Sequence, residues 1–199
     1  MDTYCPRTGD PICKCKKADG KIIIDFDAFK TAMRRIFTDH AVYTSKLIEK
    51  SVPTLLPDAN DTAARLLENP LHIRTVLEPI LGPVVGEQLQ NLFTEHLKLA
   101  AATLEPARTE KSREVKIGVE KLLEQGKQVG MLLGSIDPTK LSPELAIREF
   151  NTHNNYVVSL VTLRTQRGKD KEYINLYDDY FNHMMALSDS VTSVLPRKC

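Results

Sequence analysis

Three short stretches place a histidine where a helical core stripe would ordinarily carry leucine: "IFTDHAVYTSKL", "LFTEHLKLA" and "EFNTHNNYVVSL". In each, phenylalanine stands three residues before the histidine and an apolar or aromatic residue three after: Phe37, His40, Tyr43; Phe93, His96, Leu99; Phe150, His153, Tyr156. Residues three apart share a helix face, so inward phenylalanines imply inward histidines. Neutral imidazole is a good ligand for zinc, iron or copper, and three with one open position is a catalytic zinc pattern. The same pattern serves a second reading, in which buried imidazoles pair with carbonyls or polar side chains and are purely structural. Phase fixes a face but not depth, so the spacing leaves open whether the three rings meet. Phenylalanine rather than glutamate three before each histidine excludes the di-iron carboxylate site of ferritin-like bundles. If buried neutral, the rings have depressed pKa values and the fold weakens as pH falls.

The other candidates are weaker. His183, in "YDDYFNHMMALSD" beside Asp178 and Asp179, has a spacing common on solvated faces, and His72 follows Asn69-Pro70 at an expected surface position. Cys5, Cys13, Cys15 and Cys199 crowd the chain ends at spacings unlike a closed zinc site. Reduced thiols are the expectation, with a cross-link or a zinc site as alternatives. There is no phosphate-binding glycine loop, nucleophile elbow, Cys-x-x-Cys or His-Glu-x-x-His, which weighs against an enzyme.

The elements that must carry the histidines read as helices. Asp25 caps a stripe running from Phe26 through Met33, Phe37 and His40 to Leu47, closing near Ser51. A short helix follows and stops at Pro70, and another covers about residues 71 to 80. Pro83 opens a stripe through Val85, Leu89, Phe93, His96 and Leu104, ending before Pro106. Further helices run from "TEKSREV" to Ile136, from Pro143 with Ser142 as cap to about Gln166, and from "GKDKEY" to near Pro196. The expectation is an all-α antiparallel bundle of about seven helices over residues 26–199, preceded by a cysteine-bearing arm or hairpin over 1–25 turning at Asp19-Gly20. Gly126, Gly130 and Gly134 share one helix face, which points to close approach of a neighbouring helix, or alternatively to a wall left open for a ligand.

Composition sets the remaining bounds. A chain of 199 residues, 42% hydrophobic, is long enough for a real core, and 27 basic against 26 acidic residues leave no field to steer it to nucleic acid. No apolar run is of membrane-spanning length and the start lacks signal-peptide character, so the expected setting is intracellular rather than secreted.

With "DHAVYTSKLI", "ARLLENPLHI", "TEHL" and "LLGSIDP" in view, residues 30 to 196 resemble a family of helical-bundle proteins of spore-forming bacteria and of large DNA viruses of the marseillevirus type. His40, Asn69, Pro70, Glu95, His96 and His153 carry the match. The resemblance implies the bundle and a place in host cytoplasm or virion, and it assigns no activity. The leading expectation is therefore a non-catalytic viral structural or interaction protein without cofactor, meeting a protein partner or a second copy. The alternative is a bundle that binds a single divalent metal such as zinc, or a small ligand, through His40, His96 and His153.

Overall fold

The computed structural model describes residues 16–18, 21–23 and 25–195. The four cysteines and the Asp19-Gly20 turn lie outside them. Ahead of the helices, β1 (Lys16–Ala18) pairs antiparallel with β2 (Lys21–Ile23), Lys16 opposite Ile23. The rest is all-α: α1 (Phe26–Ser51), α2 (Ala59–Leu66), α3 (Asn69–Leu81), α4 (Pro83–Ala102), α5 (Leu104–Arg108), α6 (Ser112–Ile136), α7 (Pro143–Thr165) and α8 (Asp170–Ser193).

The bundle is built from six principal helices rather than about seven, with α2 and α5 as short connectors. Two boundaries differ from the expected ones, both at prolines. Pro70, expected to stop a helix, is buried in the first turn of α3. Pro106, expected to lie beyond α4, sits in the first turn of α5, just past a break at Thr103. A first-turn residue has no intrahelical partner for its N–H, so proline opens helices as readily as it closes them. The starts of α1 and α7 follow the capping chemistry. Asp25 accepts from the Ala28 N–H, and Ser142 caps α7 by accepting from the Leu145 N–H (3.2 Å).

Helices α1, α4, α7 and α8 enclose the centre of the core, where Phe29, Met33, Leu89, Leu160, Tyr180 and Met184 are almost fully buried. Burying side chains of this size contributes about 1.5–3 kcal/mol each. The glycine stripe of α6 is a line of helix-to-helix contact. A Cβ at Gly130 would lie 2.6 Å from the Ile147 backbone, one at Gly134 2.4 Å from Pro143 Cα, and one at Gly126 2.6 Å from the Asn154 amide. Close approach to α7 thus accounts for all three glycines, and no ligand wall is needed. Among the described residues, no helix is long and apolar enough to cross a membrane.

Candidate metal centre

The inward phasing expected of the phenylalanine and histidine in the three Phe-x-x-His segments is realised, while Tyr43, Leu99 and Tyr156 are only half-buried. His40 on α1, His96 on α4 and His153 on α7 are each at most 6% exposed, and their rings meet at the bundle axis. Ring centroids are 6.3 Å apart for His40 and His96, 5.4 Å for His40 and His153, and 5.5 Å for His96 and His153. One nitrogen from each lies within 4.8 Å of the other two. Ligands about 2.0–2.1 Å from a tetrahedral zinc sit roughly 3.3 Å apart, so the nitrogens need draw in by no more than about 1.5 Å to share an ion.

The rings form the middle of three layers. Three residues earlier on each helix come Phe37, Phe93 and Phe150, which with Met184 and Leu187 of α8 close one side around a void of about 10 Å³. Four residues later come Thr44, Ala100 and Val157, which with Leu47, Leu97 and Leu104 bound a void of about 20 Å³ on the other. Each void has room for roughly one water-sized sphere. None of the residues lining either void carries a formal charge when the imidazoles are neutral.

Two carboxamides orient two of the rings by the same device. Asn69, buried at the start of α3, donates its amide N–H to the Ile36 carbonyl (2.8 Å), which leaves its oxygen to accept from His40 Nδ1 (3.3 Å). Gln125 of α6 donates to the Leu92 carbonyl, and its oxygen accepts from His96 Nδ1 (3.2 Å). In both cases the carbonyl belongs to the residue four before the histidine. Because the amide orientation is set by the backbone, the proton of each imidazole is held on Nδ1 and the lone pair left on Nε2. This second contact, fixing tautomer and ring angle, is what metal-bound histidines characteristically have. The third ring differs: His153 Nδ1 is buried with no hydrogen-bond partner, and its face packs against Tyr180 with centroids 5.6 Å apart.

The electrostatics hold the trio neutral. Burial pushes His40 down to about 4, opposed by the Asn69 contact, and His96 down to about 3, with His40 as a second cause and Gln125 opposing. His153 is held well below the usual histidine range by burial, then by His40, His96 and His183. Burial raises Tyr180 well above the ordinary phenol, only partly offset by Thr44; the two hydroxyls are near one another, but neither makes a hydrogen bond of ordinary geometry.

The weaker candidates stay apart from the trio. His183 is half-buried on α8, donates from Nε2 to the Glu149 carbonyl (3.2 Å) and packs on Tyr156. His72, expected at the surface, is half-buried on α3. Among the described residues, His40, His96 and His153 form the one group of three potential ligands close enough to hold an ion.

Asn69 and Gln125 are the residues that the metal reading of the sequence missed as site residues, although a signal was present. Each follows its histidine by 29 residues, and "FTDH" with "LLENP" at 66–70 is echoed at an offset of 56 by "FTEH" with "LLEQG" at 122–126. The histidine and the amide that orients it therefore recur as a unit, on α1 with α3 and again on α4 with α6. Comparison with known proteins adds nothing to this geometry: no family model, no curated protein and no solved structure matches the chain.

Proposed function

We propose that the protein is a metal-binding helical bundle in which His40, His96 and His153 hold one divalent transition ion such as zinc. The observation that carries the reading is the repeated amide device, which leaves the lone pairs of two rings on Nε2, beside a third imidazole in an uncharged interior. Two lone pairs beside a third ring whose tautomer no neighbour fixes make a donor set that a cation can use. A proton uses it poorly, because burial depresses all three pKa values. The donor set selects the ion: imidazole nitrogens suit zinc, copper, nickel or iron, whereas calcium and magnesium require a shell of oxygen ligands, and the two voids offer no carboxylate and only the Asn69 amide and the Thr44 hydroxyl.

The experiment is elemental analysis of protein purified without chelator, repeated on the triple His40→Ala, His96→Ala, His153→Ala variant. One metal per chain that disappears in the variant supports the proposal. A metal-free protein that also fails to take up zinc or cobalt rejects it.

A second reading is a non-catalytic structural or interaction protein, in which the trio is a polar seam in the core. Its support is the enclosure of the rings between the phenylalanine layer and the layer of Thr44, Ala100 and Val157. The resemblance to the spore-former and large-DNA-virus family, a protein or homodimer partner, and a place in host cytoplasm or virion belong to that reading. It predicts that the triple variant, given apolar replacements, is at least as stable as the parent.

A further inference from the structure

We infer that the open coordination position lies on the Thr44 side of the trio and takes a small monoanion such as hydroxide, admitted from a surface cavity past Val157. This rests on the metal reading above and extends it to the fourth ligand.

Three observations point the same way. The Phe37, Phe93 and Phe150 side offers only rings and aliphatic groups, apart from the Asn69 amide already engaged by His40 and Ile36. The opposite void alone is lined by a hydroxyl. Thr44 is buried and lines the 20 Å³ space with all three histidines; its hydroxyl lies near that of Tyr180 but makes no hydrogen bond of ordinary geometry. Several threonines of α4 and α7 return the hydroxyl to the carbonyl four residues back, as Thr94 does to Gln90 (2.7 Å), Thr152 to Arg148 (2.9 Å) and Thr162 to Val158 (2.8 Å). Thr44 does not, so its hydroxyl is available to a ligand in the void.

Charge selects the ligand. Three neutral imidazoles leave a divalent ion with its full charge in a region lined by no carboxylate. An uncompensated buried charge is costly, so a divalent ion held by the three histidines would favour an anion in the fourth position, hydroxide over water among them. The void limits that ligand to a few atoms. Such an anion binds the metal with one atom and accepts the Thr44 hydroxyl proton with a lone pair.

Access follows from a shared wall. Val157, 7% exposed, lines the 20 Å³ void and also a surface cavity of about 460 Å³ between α5, α6 and α7. Val157 is the one residue lining both spaces, so the route runs past its side chain, and the cavity beyond it mixes valines such as Val115, Val119 and Val161 with polar groups that include Glu110.

The test uses cobalt(II)-loaded full-length protein titrated with azide, followed by the visible absorption of the ion. We expect saturable binding, weakened about tenfold in Thr44→Val and retained within about twofold in Thr44→Ser, from loss of a hydrogen bond to a charged ligand. Azide association should quicken in Val157→Ala but not in Val191→Ala, a comparable truncation of a buried valine on α8. Stoichiometric cobalt whose spectrum ignores azide would overturn this inference and leave the metal site standing, as would equal azide affinity in Thr44→Val. Equal quickening in the two alanine variants would overturn the Val157 route. Failure to bind cobalt at all would overturn the metal reading itself.

Discussion

Lowering the pH of the metal-free protein from 7.5 to 5 protonates the histidines of the unfolded chain while the three core imidazoles stay neutral in the fold. An unfolded histidine has a pKa near 6.5, whereas the folded values are about 4 for His40 and about 3 for His96. Depressed folded values mean that the unfolded chain takes up protons first. Stability is therefore full above about pH 7, is lost as pH falls through 6.5, and keeps falling until the folded-state values are reached. At pH 5 each of these two rings costs about 2 kcal/mol, about 4 kcal/mol together. His153 acts in the same direction, and so, more weakly, does the half-buried His183. The depressed carboxylates, Asp189 beside Arg34 and Asp58 beside Lys50, lose their contribution only at lower pH, below their unfolded values near 4. A loss of 4 kcal/mol or more is a large part of the 5–15 kcal/mol of an ordinary domain. The assay is urea denaturation in the presence of chelator, followed by far-ultraviolet circular dichroism at half-unit pH intervals. A change below about 1 kcal/mol between pH 7.5 and 5 would refute the reasoning, because rings buried and neutral in the fold cannot be so indifferent to protons.

Other perturbations separate the parts of the site. Asn69→Ala removes the contact to His40 and leaves a buried imidazole N–H unpaired, so the metal-free protein should lose about 2–4 kcal/mol in denaturant melts. The same change, and Gln125→Ala, should weaken zinc about 10–100-fold by calorimetry; unchanged zinc affinity in both would show that the amides do not orient ligands. Tyr180→Phe deletes a buried hydroxyl that lacks an ordinary hydrogen bond, so thermal melts should move by no more than about 1 kcal/mol, in the stabilising direction. Gly130→Ala ought to gain about 1 kcal/mol from helix propensity yet lose more, about 1–3 kcal/mol net, because its Cβ would meet the Ile147 backbone. A Gly130→Ala protein as stable as the parent would mean that α6 and α7 are not in such close contact.

The sequence made the histidine trio legible because helical phase is a local property, and Phe37, Phe93 and Phe150 mark the inward face of three separate helices. Capping at Asp25 and Ser142 was legible for the same reason. The prolines were misread at Pro70 and Pro106 because one residue type both ends a helix and opens the next, and neighbours in sequence do not distinguish the two. Depth along the bundle axis was not legible at all: that His40, His96 and His153 share one level depends on how far each helix slides past the others, which periodicity does not encode. The roles of Asn69 and Gln125 were hidden for a related reason, since each reaches its histidine across a helix interface. The 56-residue echo of "FTDH" and "LLEN" in "FTEH" and "LLEQ" was the available clue.

The most direct test of the central claim is X-ray absorption at the zinc edge on full-length protein loaded with one equivalent of zinc. The account predicts a first shell of three imidazole nitrogens at about 2.0–2.1 Å with one further light atom, and multiple scattering from the rings. Sulfur neighbours at about 2.3 Å, which would assign the ion to the terminal cysteines, or an oxygen shell without imidazole scattering, would contradict it.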